Sequence, residues 1–196
     1  GLDFVVLDAE HAPWDRSAID LAVLAARAQA LPALVRVQGI GDILTALDCG
    51  ATGVMVPHVS TAQTAKAVAA ACRYRTGNRG FSNSPRAGRY GGLGLAAHLE
   101  ASDAATTVIA MLEDPEALDH APALTQVDGI DAFFLGRGDL TVALGETATD
   151  APRVQDAVGV LVAAVKAAVR VPVVANGDVL TDLDVAVAHG AADPVG

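Results

Sequence analysis

Cysteine occurs only twice in the 196 residues, at Cys49 and Cys72, and neither shows metal-ligand spacing. That pattern excludes a disulfide framework or a cysteine-based zinc site, and points to buried free thiols in a reducing compartment. Aromatics make up 4% of the chain, which leaves the core to Ala, Val and Leu. No apolar run approaches the roughly 18 residues of a membrane span, and no basic leader precedes the first apolar run, so a soluble cytoplasmic protein is expected. Lysine is nearly missing. Lys66 and Lys166 each fall in the middle of an amphipathic helical pattern that should face water, whereas a Schiff-base enzyme needs a desolvated lysine inside its site. No Gly-x-Gly-x-x-Gly follows the first strand, which removes the main signal for a dinucleotide site. Positive charge is also short. Thirteen Lys and Arg against 23 Asp and Glu give a formal charge of −10, a field that repels nucleic acid and anionic membranes but not a small anion in a local pocket.

What is present is a regular alternation. Short apolar runs at Phe4–Leu7, Ala33–Val35, Val54–Val56, 107–112, 131–135, 172–175 and 192–195 read as buried strands. Between them stand helical patterns at Arg16–Ala30, up to Asp48, Thr61–Arg73, Leu95–Ser102, 115–124, from Asp139, Pro152–Val169 and 180–189. Thr61 is placed as an N-cap, and Gly50 as the glycine that ends the helix before it. Seven strands alternating with helices, and no hairpin signal, predict an α/β fold. An incomplete (β/α)8 TIM barrel fits best, one domain over residues 1–196 lacking its first strand and last helix. A doubly wound open sheet is the alternative. The Arg- and Gly-dense stretch 75–94 has no apolar period, and a loop of that length in a compact domain carries function or is disordered.

Acids recur where strands give way to loops. Glu113 follows the run 107–112, Asp139 follows Ala132–Leu135 within Gly136-Arg137-Gly138-Asp139, and Asp8-Ala9-Glu10-His11 and Val35-Arg36 close two other strands. Two carboxylates at neighbouring strand ends can hold a hard divalent cation with open positions for substrate. Taken singly, Glu113 and Asp139 are better explained as helix N-terminal acids, and His11 as a structural loop residue. Barrel enzymes, however, build their sites at the C-terminal strand ends, where Asp8, His11, Arg36, Glu113 and Asp139 would converge.

Asp8-Ala9-Glu10-His11-Ala12-Pro13, Leu47-Asp48-Cys49-Gly50-Ala51, Val54-Met55-Val56-Pro57, Asn78-Arg79-Gly80, Arg86-Ala87-Gly88-Arg89-Tyr90 and Phe134–Leu140, in this order, resemble the metal-dependent pyruvate aldolases of the 4-hydroxy-2-oxoheptanedioate aldolase family. That family sits within the citrate lyase-like superfamily. The resemblance implies reversible addition of pyruvate or hydroxypyruvate to an aldehyde through a metal-bound enolate. It implies Glu113 and Asp139 as ligands of Mg2+, Mn2+ or Co2+, and Arg36 as the partner of the developing oxyanion. The backbone at Gly138 and Asp139 would meet the keto acid carboxylate, and His11 would move the proton. Met111 stands where the family commonly has a substrate-binding glutamine, and offers no comparable hydrogen bond. Asp48 matches an acid that raises the basicity of the histidine. Because Asp48 ends a helix, it should lie away from His11 in its own barrel, so the resemblance implies donation by a neighbour in a hexamer built as a trimer of dimers. Asp8, three residues before His11, is the intramolecular rival.

Two other readings stand beside this one. A lyase acting on acyl-coenzyme A hydroxy acids shares barrel and acid pair, but no basic run suggests a grip on the coenzyme. A barrel that binds a keto acid without catalysis is the third, with Met111 as its clue. Arg86 and Arg89 in the 75–94 loop would suit the far end of an acidic aldehyde.

Overall fold

A computed structural model describes residues 2–168 and, as a short strand, 173–175. Six strands pair in sequence order, and every pair is parallel: β1 (Val5–Asp8), β2 (Ala33–Arg36), β3 (Gly53–Val56), β4 (Thr107–Leu112), β5 (Ala132–Leu135) and β6 (Val173–Ala175). Helices fill each connection: α1 (Arg16–Ala28), α2 (Ile43–Asp48), α3 (Ala62–Cys72), α4 (Leu95–Ala105), α5 (Glu116–Leu124), α6 (Arg137–Ala143) and α7 (Pro152–Ala167). A doubly wound sheet reverses its strand order at a switch point, whereas these strands run β1 to β6 without reversal, as successive staves of a (β/α)8 barrel do. The expected helix 180–189 and strand 192–195 lie outside the described residues. Among the described residues no helix is long and apolar enough to cross a membrane.

Local chemistry sets the element ends. Asp15 caps α1 by accepting from the Ala18 N–H at 2.7 Å, and Thr61 caps α3 by accepting from Thr64 at 3.1 Å. Gly50, at φ +85°, ends the α2 segment in the left-handed conformation, with its N–H bonded to Leu47 and that of Ala51 to Ala46. The periodicity of α1 continues to Ala30, but the helix stops at Ala28, because Ala30 turns left-handed at φ 52°. Asp131 stays outside β5, since its carboxylate accepts from the Val108 N–H at 2.8 Å. The 75–94 stretch is ordered. Tyr74, Phe81 and His98 meet ring to ring at 5.4–5.8 Å, and the buried His98 pairs with Asn83 at 2.8 Å.

The alternating faces of the strands make two cores. Outward residues such as Val35, Val54, Val56, Val108, Ala110, Leu112 and Leu135 pack against Val23, Leu47, Val68, Leu124 and Leu161 of the helices. Each valine or leucine among them, fully buried, contributes about 1.5–3 kcal/mol. Inward residues Leu34, Met55, Ile109, Met111 and Ala132, with Phe134, form a smaller interior layer. The register pairs Asp8 with Arg36, Arg36 with Met55, and Met111 with Phe134, so the inward series of β1 and β2 ends in polar residues beside this apolar layer.

Candidate active site

The first two strands end in an ion pair. Asp8 and Arg36 are register partners, and the guanidinium grips the carboxylate with two bonds, Nε to Oδ1 at 2.8 Å and Nη2 to Oδ2 at 2.5 Å. That grip is the main reason the Asp8 pKa falls to about 2, with the N–H groups of His11 and Glu10 adding to it against the opposing effect of burial. Asp8 Oδ1 also accepts those two N–H groups at 3.2 Å, folding the loop that carries His11. Asp8, the intramolecular rival for pairing with His11, reaches the backbone N–H of that residue and binds Arg36 through its carboxylate. Among the described residues the acid at the His11 ring is Glu10, whose Oε2 lies 3.6 Å from Nε2 and 3.5 Å from Arg36 Nε.

The fourth and fifth strands supply a buried carboxylate. Glu113 follows β4 directly and is 2% exposed. Gly136 follows β5 and stands beside it, because Met111 and Phe134 pair two residues earlier. A Cβ on Gly136 would fall 2.6 Å from Glu113 Cβ and closer still to Oε2, so the glycine makes the space the carboxylate occupies. Oε1 accepts the His58 N–H at 2.9 Å, and among the described residues no protein donor reaches Oε2. Burial, reinforced by the charges of Asp139 and Glu10, pushes the Glu113 pKa up in spite of the His58 N–H.

His58 was not a candidate from the sequence, and neither were Glu10, Asp114 and Gly136. His58 sits two residues past β3 in a left-handed conformation, φ 54°, and that turn delivers its N–H to Glu113. Its Nδ1 lies 3.2 Å from both oxygens of Asp114 and 3.6 Å from Glu113 Oε1. Burial opposes protonation, but the hydrogen bond and charge of Asp114, with the charges of Glu113 and Glu10, hold its pKa above the ordinary value. The signal was available: His58 follows Val56-Pro57 at a strand end, as Glu113 follows Leu112.

The remaining expected residues divide. Asp139 and Gly138 occupy the exposed first turn of α6, where a Cβ on Gly138 would meet nothing within 4 Å, so the backbone there is open to a ligand. Met111 is 1% exposed and forms the apolar floor beneath Glu113. Asp48 is buried at the end of α2, 3.8 Å from Arg79 and 3.7 Å from Arg16, and the chain does not bring it to its own His11. Burial raises the Asp48 pKa against the pull of Arg79 and Arg16. Lys66 and Lys166 are exposed on α3 and α7, away from the interior. Arg86 pairs with Asp20 of α1 at 2.6 Å, and Arg89 lines a cavity beside the starts of β3 and β4. Within one chain these contacts do not place either arginine over the strand end that holds Glu113.

A divalent cation fits these residues. Among the described residues no group of three or more His, Cys, Asp or Glu side chains forms a cage, so Glu113 and Asp139 would leave most positions to water and substrate. Hard cations such as magnesium bind in that way. A cation would give the Glu113 Oε2 atom, which accepts from no protein donor among the described residues, a partner on a carboxylate whose burial disfavours its charge.

A family profile described as HpcH/HpaI aldolase/citrate lyase matches residues 1–191. A 4-hydroxy-2-oxovalerate aldolase of Novosphingobium aromaticivorans is 39% identical over 149 residues, covering 74% of this chain and 56% of that protein. One from Rhodococcus jostii (strain RHA1) is 37% identical over 176 residues, covering 88% and 67%. The solved HpcH/HpaI aldolase/citrate lyase family protein from Burkholderia cenocepacia J2315 superimposes with a TM-score of 0.84 at 30% identity, over 91% of this chain and 72% of that one. The chain thus spans between about half and two thirds of the length of these curated relatives.

Proposed function

The chain belongs to the HpcH/HpaI aldolase/citrate lyase family, and we propose that it is a divalent-metal-dependent lyase that splits a 4-hydroxy-2-oxo acid into pyruvate, or hydroxypyruvate, and an aldehyde. The reverse addition is the same reaction read backwards. The observation that carries this reading is the buried Glu113 carboxylate, given room by Gly136 and left with one oxygen free, on the same rim as the Asp8–Arg36 pair.

Glu113 and Asp139 would hold Mg2+, Mn2+ or Co2+, and the ion supplies Lewis-acid polarisation of the keto oxygen when bound. The chain's own groups do the rest. His11, on the loop pinned by Asp8, takes the proton of the C4 hydroxyl. The C3–C4 bond breaks, the aldehyde leaves, and its electron pair moves into an enolate whose oxygen is met by the Arg36 guanidinium. A proton returned to C3 completes pyruvate. The open N–H groups of Gly138 and Asp139 receive the carboxylate, while Met111 and Phe134 form an apolar floor without competing hydrogen bonds. The acyl-coenzyme A alternative gains no observation here, since no cluster of basic side chains flanks this rim among the described residues.

The direct test is pyruvate release from 4-hydroxy-2-oxovalerate before and after chelation. Activity should fall to background and return with magnesium, manganese or cobalt; full turnover after verified metal removal would rule the reading out.

Asp48 is proposed to act from a neighbouring copy on His11, within a hexameric assembly. Its Oδ1 has no hydrogen-bond partner among the described residues, and Arg16 beside it is exposed. Mixing His11→Ala with Asp48→Asn subunits after dissociation should regenerate part of the activity that both homo-oligomers lack. Asparagine is chosen because it keeps the volume beside the buried Arg79. Verified mixed oligomers that stay inactive would remove Asp48 from the site.

A further inference from the structure

Among the described residues seven buried side-chain polar atoms lack a hydrogen-bond partner, and five of them belong to one cluster behind Asp48. They are Asp48 Oδ1, Arg79 Nε and Nη2, the Tyr74 hydroxyl and His98 Nε2. Such atoms are few in native folds, so five together need a reason. Arg79 is the centre of the cluster. Its side chain is 2% exposed, with the guanidinium 4.4 Å from the Tyr74 ring centroid and Nη2 3.8 Å from Asp48 Oδ1. Tyr74 packs edge-on against His98 at 5.7 Å.

Protonation leaves one ion pair among these groups. Asn83 Nδ2 donates to the Leu93 carbonyl at 2.6 Å, so Asn83 Oδ1 accepts from His98 Nδ1 at 2.8 Å, and His98 Nε2 is the bare nitrogen of a neutral ring. Burial, then the charge of Arg79, lowers the His98 pKa against the pull of Asp48, while burial raises those of Tyr74 and Cys49. None of the three carries charge at neutral pH. The cations that face Asp48 are therefore Arg79, which is buried, and Arg16 of α1, which is 3.7 Å from Oδ2 but exposed and screened. The two oxygens of Asp48 are thus unlike: Oδ1 is turned inward to Arg79, and Oδ2 toward the surface. The loop fastens Arg79 in place. Its N–H donates to the Arg73 carbonyl at 3.0 Å, and the Arg86 stem crosses Gly50, two residues beyond Asp48, on its way to Asp20.

We propose that Arg79 is a positioning residue of the active site, which keeps the Asp48 carboxylate ionised and turned so that Oδ2 is presented to His11 of a neighbouring copy. This rests on the shared-site reading of Asp48 given above. A buried carboxylate is driven toward its neutral form, which cannot raise the basicity of a histidine, and an opposite charge within about 4–6 Å opposes that drive. Burial is the larger influence on Asp48 in the isolated chain, and Arg79 is first among the groups that oppose it.

The test reads the pH profile of pyruvate release from 4-hydroxy-2-oxovalerate by the metal-loaded oligomer. Arg79→Met keeps the apolar stem and removes the charge. It should move the acidic limb of kcat/KM up by about one pH unit, because the Asp48–His11 pair then holds its proton more tightly, and Arg79→Lys should bring the limb most of the way back. An arginine with a structural role alone would lower activity at every pH and leave the limb in place. Subunit mixing separates the two readings. If His11→Ala and Asp48→Asn subunits regenerate activity but the limb of Arg79→Met stays at the wild-type position, the role of Arg79 is refuted while the shared site stands; if mixing regenerates nothing, both fall. Thermal unfolding gives a readout free of activity and covers a poorly folding Arg79→Met. Combining it with Asp48→Asn removes the carboxylate left unpaired and should raise Tm above that of Arg79→Met alone. A double variant no more stable than Arg79→Met overturns the proposal.

Discussion

Replacing Glu113 by glutamine is expected to lower lyase activity about a thousandfold, the scale on which enzymes lose rate when a preorganised charge at the reacting oxygen is removed, while leaving the metal-free fold as stable as before or more so. The two effects have one origin. A carboxylate that is 2% exposed, with a single N–H donor and with Asp139 and Glu10 nearby, is held above its ordinary pKa of 4.5 chiefly by burial. A raised acid pKa means that the folded state favours the protonated form. Stability is lost as pH rises from 4.5 through the folded value, and stays lost above it. Glutamine carries no charge, so the Tm difference between Glu113→Gln and the wild type, both metal-free, should grow over that rise and then level. Added magnesium should raise the Tm of the wild type and not of the variant. Gly136→Ala should act in the same direction on activity, since its Cβ takes the space of the carboxylate. A Glu113→Gln enzyme retaining near-normal turnover would remove the cation site from the proposal.

Much of this arrangement was legible in the sequence, and what was not has physical reasons. The parallel order followed from apolar runs too continuous for a half-solvated sheet, and Thr61 and Gly50 marked their helix ends by capping chemistry. Asp8, Arg36 and Glu113 were found because each closes an apolar run. His58 was missed because its contribution is first a backbone N–H, given by a left-handed turn that a histidine code does not reveal. Glu10 was passed over beside Asp8, and only coordinates show it 3.5 Å from Arg36 and 3.6 Å from His11. Gly136 reads as loop glycine until register places it beside Glu113. The 75–94 stretch was legible only as a long loop. Its arginines suggested a cover for the substrate, and within one chain Arg86 pairs with Asp20 on α1. Pairing between elements distant in sequence leaves no periodic trace.

Arg36 carries the second large effect. Arg36→Ala is expected to reduce kcat about a hundredfold or more, near 2.7 kcal/mol of transition-state stabilisation, with a smaller change in KM. The rival account is that Arg36 only neutralises Asp8, which it grips with two bonds, and that its loss merely frees the loop carrying His11. A double variant separates them. If pairing were the whole role, Asp8→Asn with Arg36→Ala would recover most of the activity lost by Arg36→Ala, because no unpaired acid would remain. If the guanidinium meets the substrate's oxyanion, the double variant stays as slow as the single one, and Asp8→Asn alone loses less. Stability provides the internal control. Asp8 is lowered to about 2 from its ordinary 3.8, so the pair's contribution is fully present above pH 3.8 and disappears as pH falls toward 2. Asp8 is partly exposed, so that contribution is modest, and Arg36→Ala should unfold at nearly the wild-type temperature at neutral pH. An inactive but stably folded Arg36→Ala, not rescued by Asp8→Asn, is the result expected of a residue that acts on the substrate.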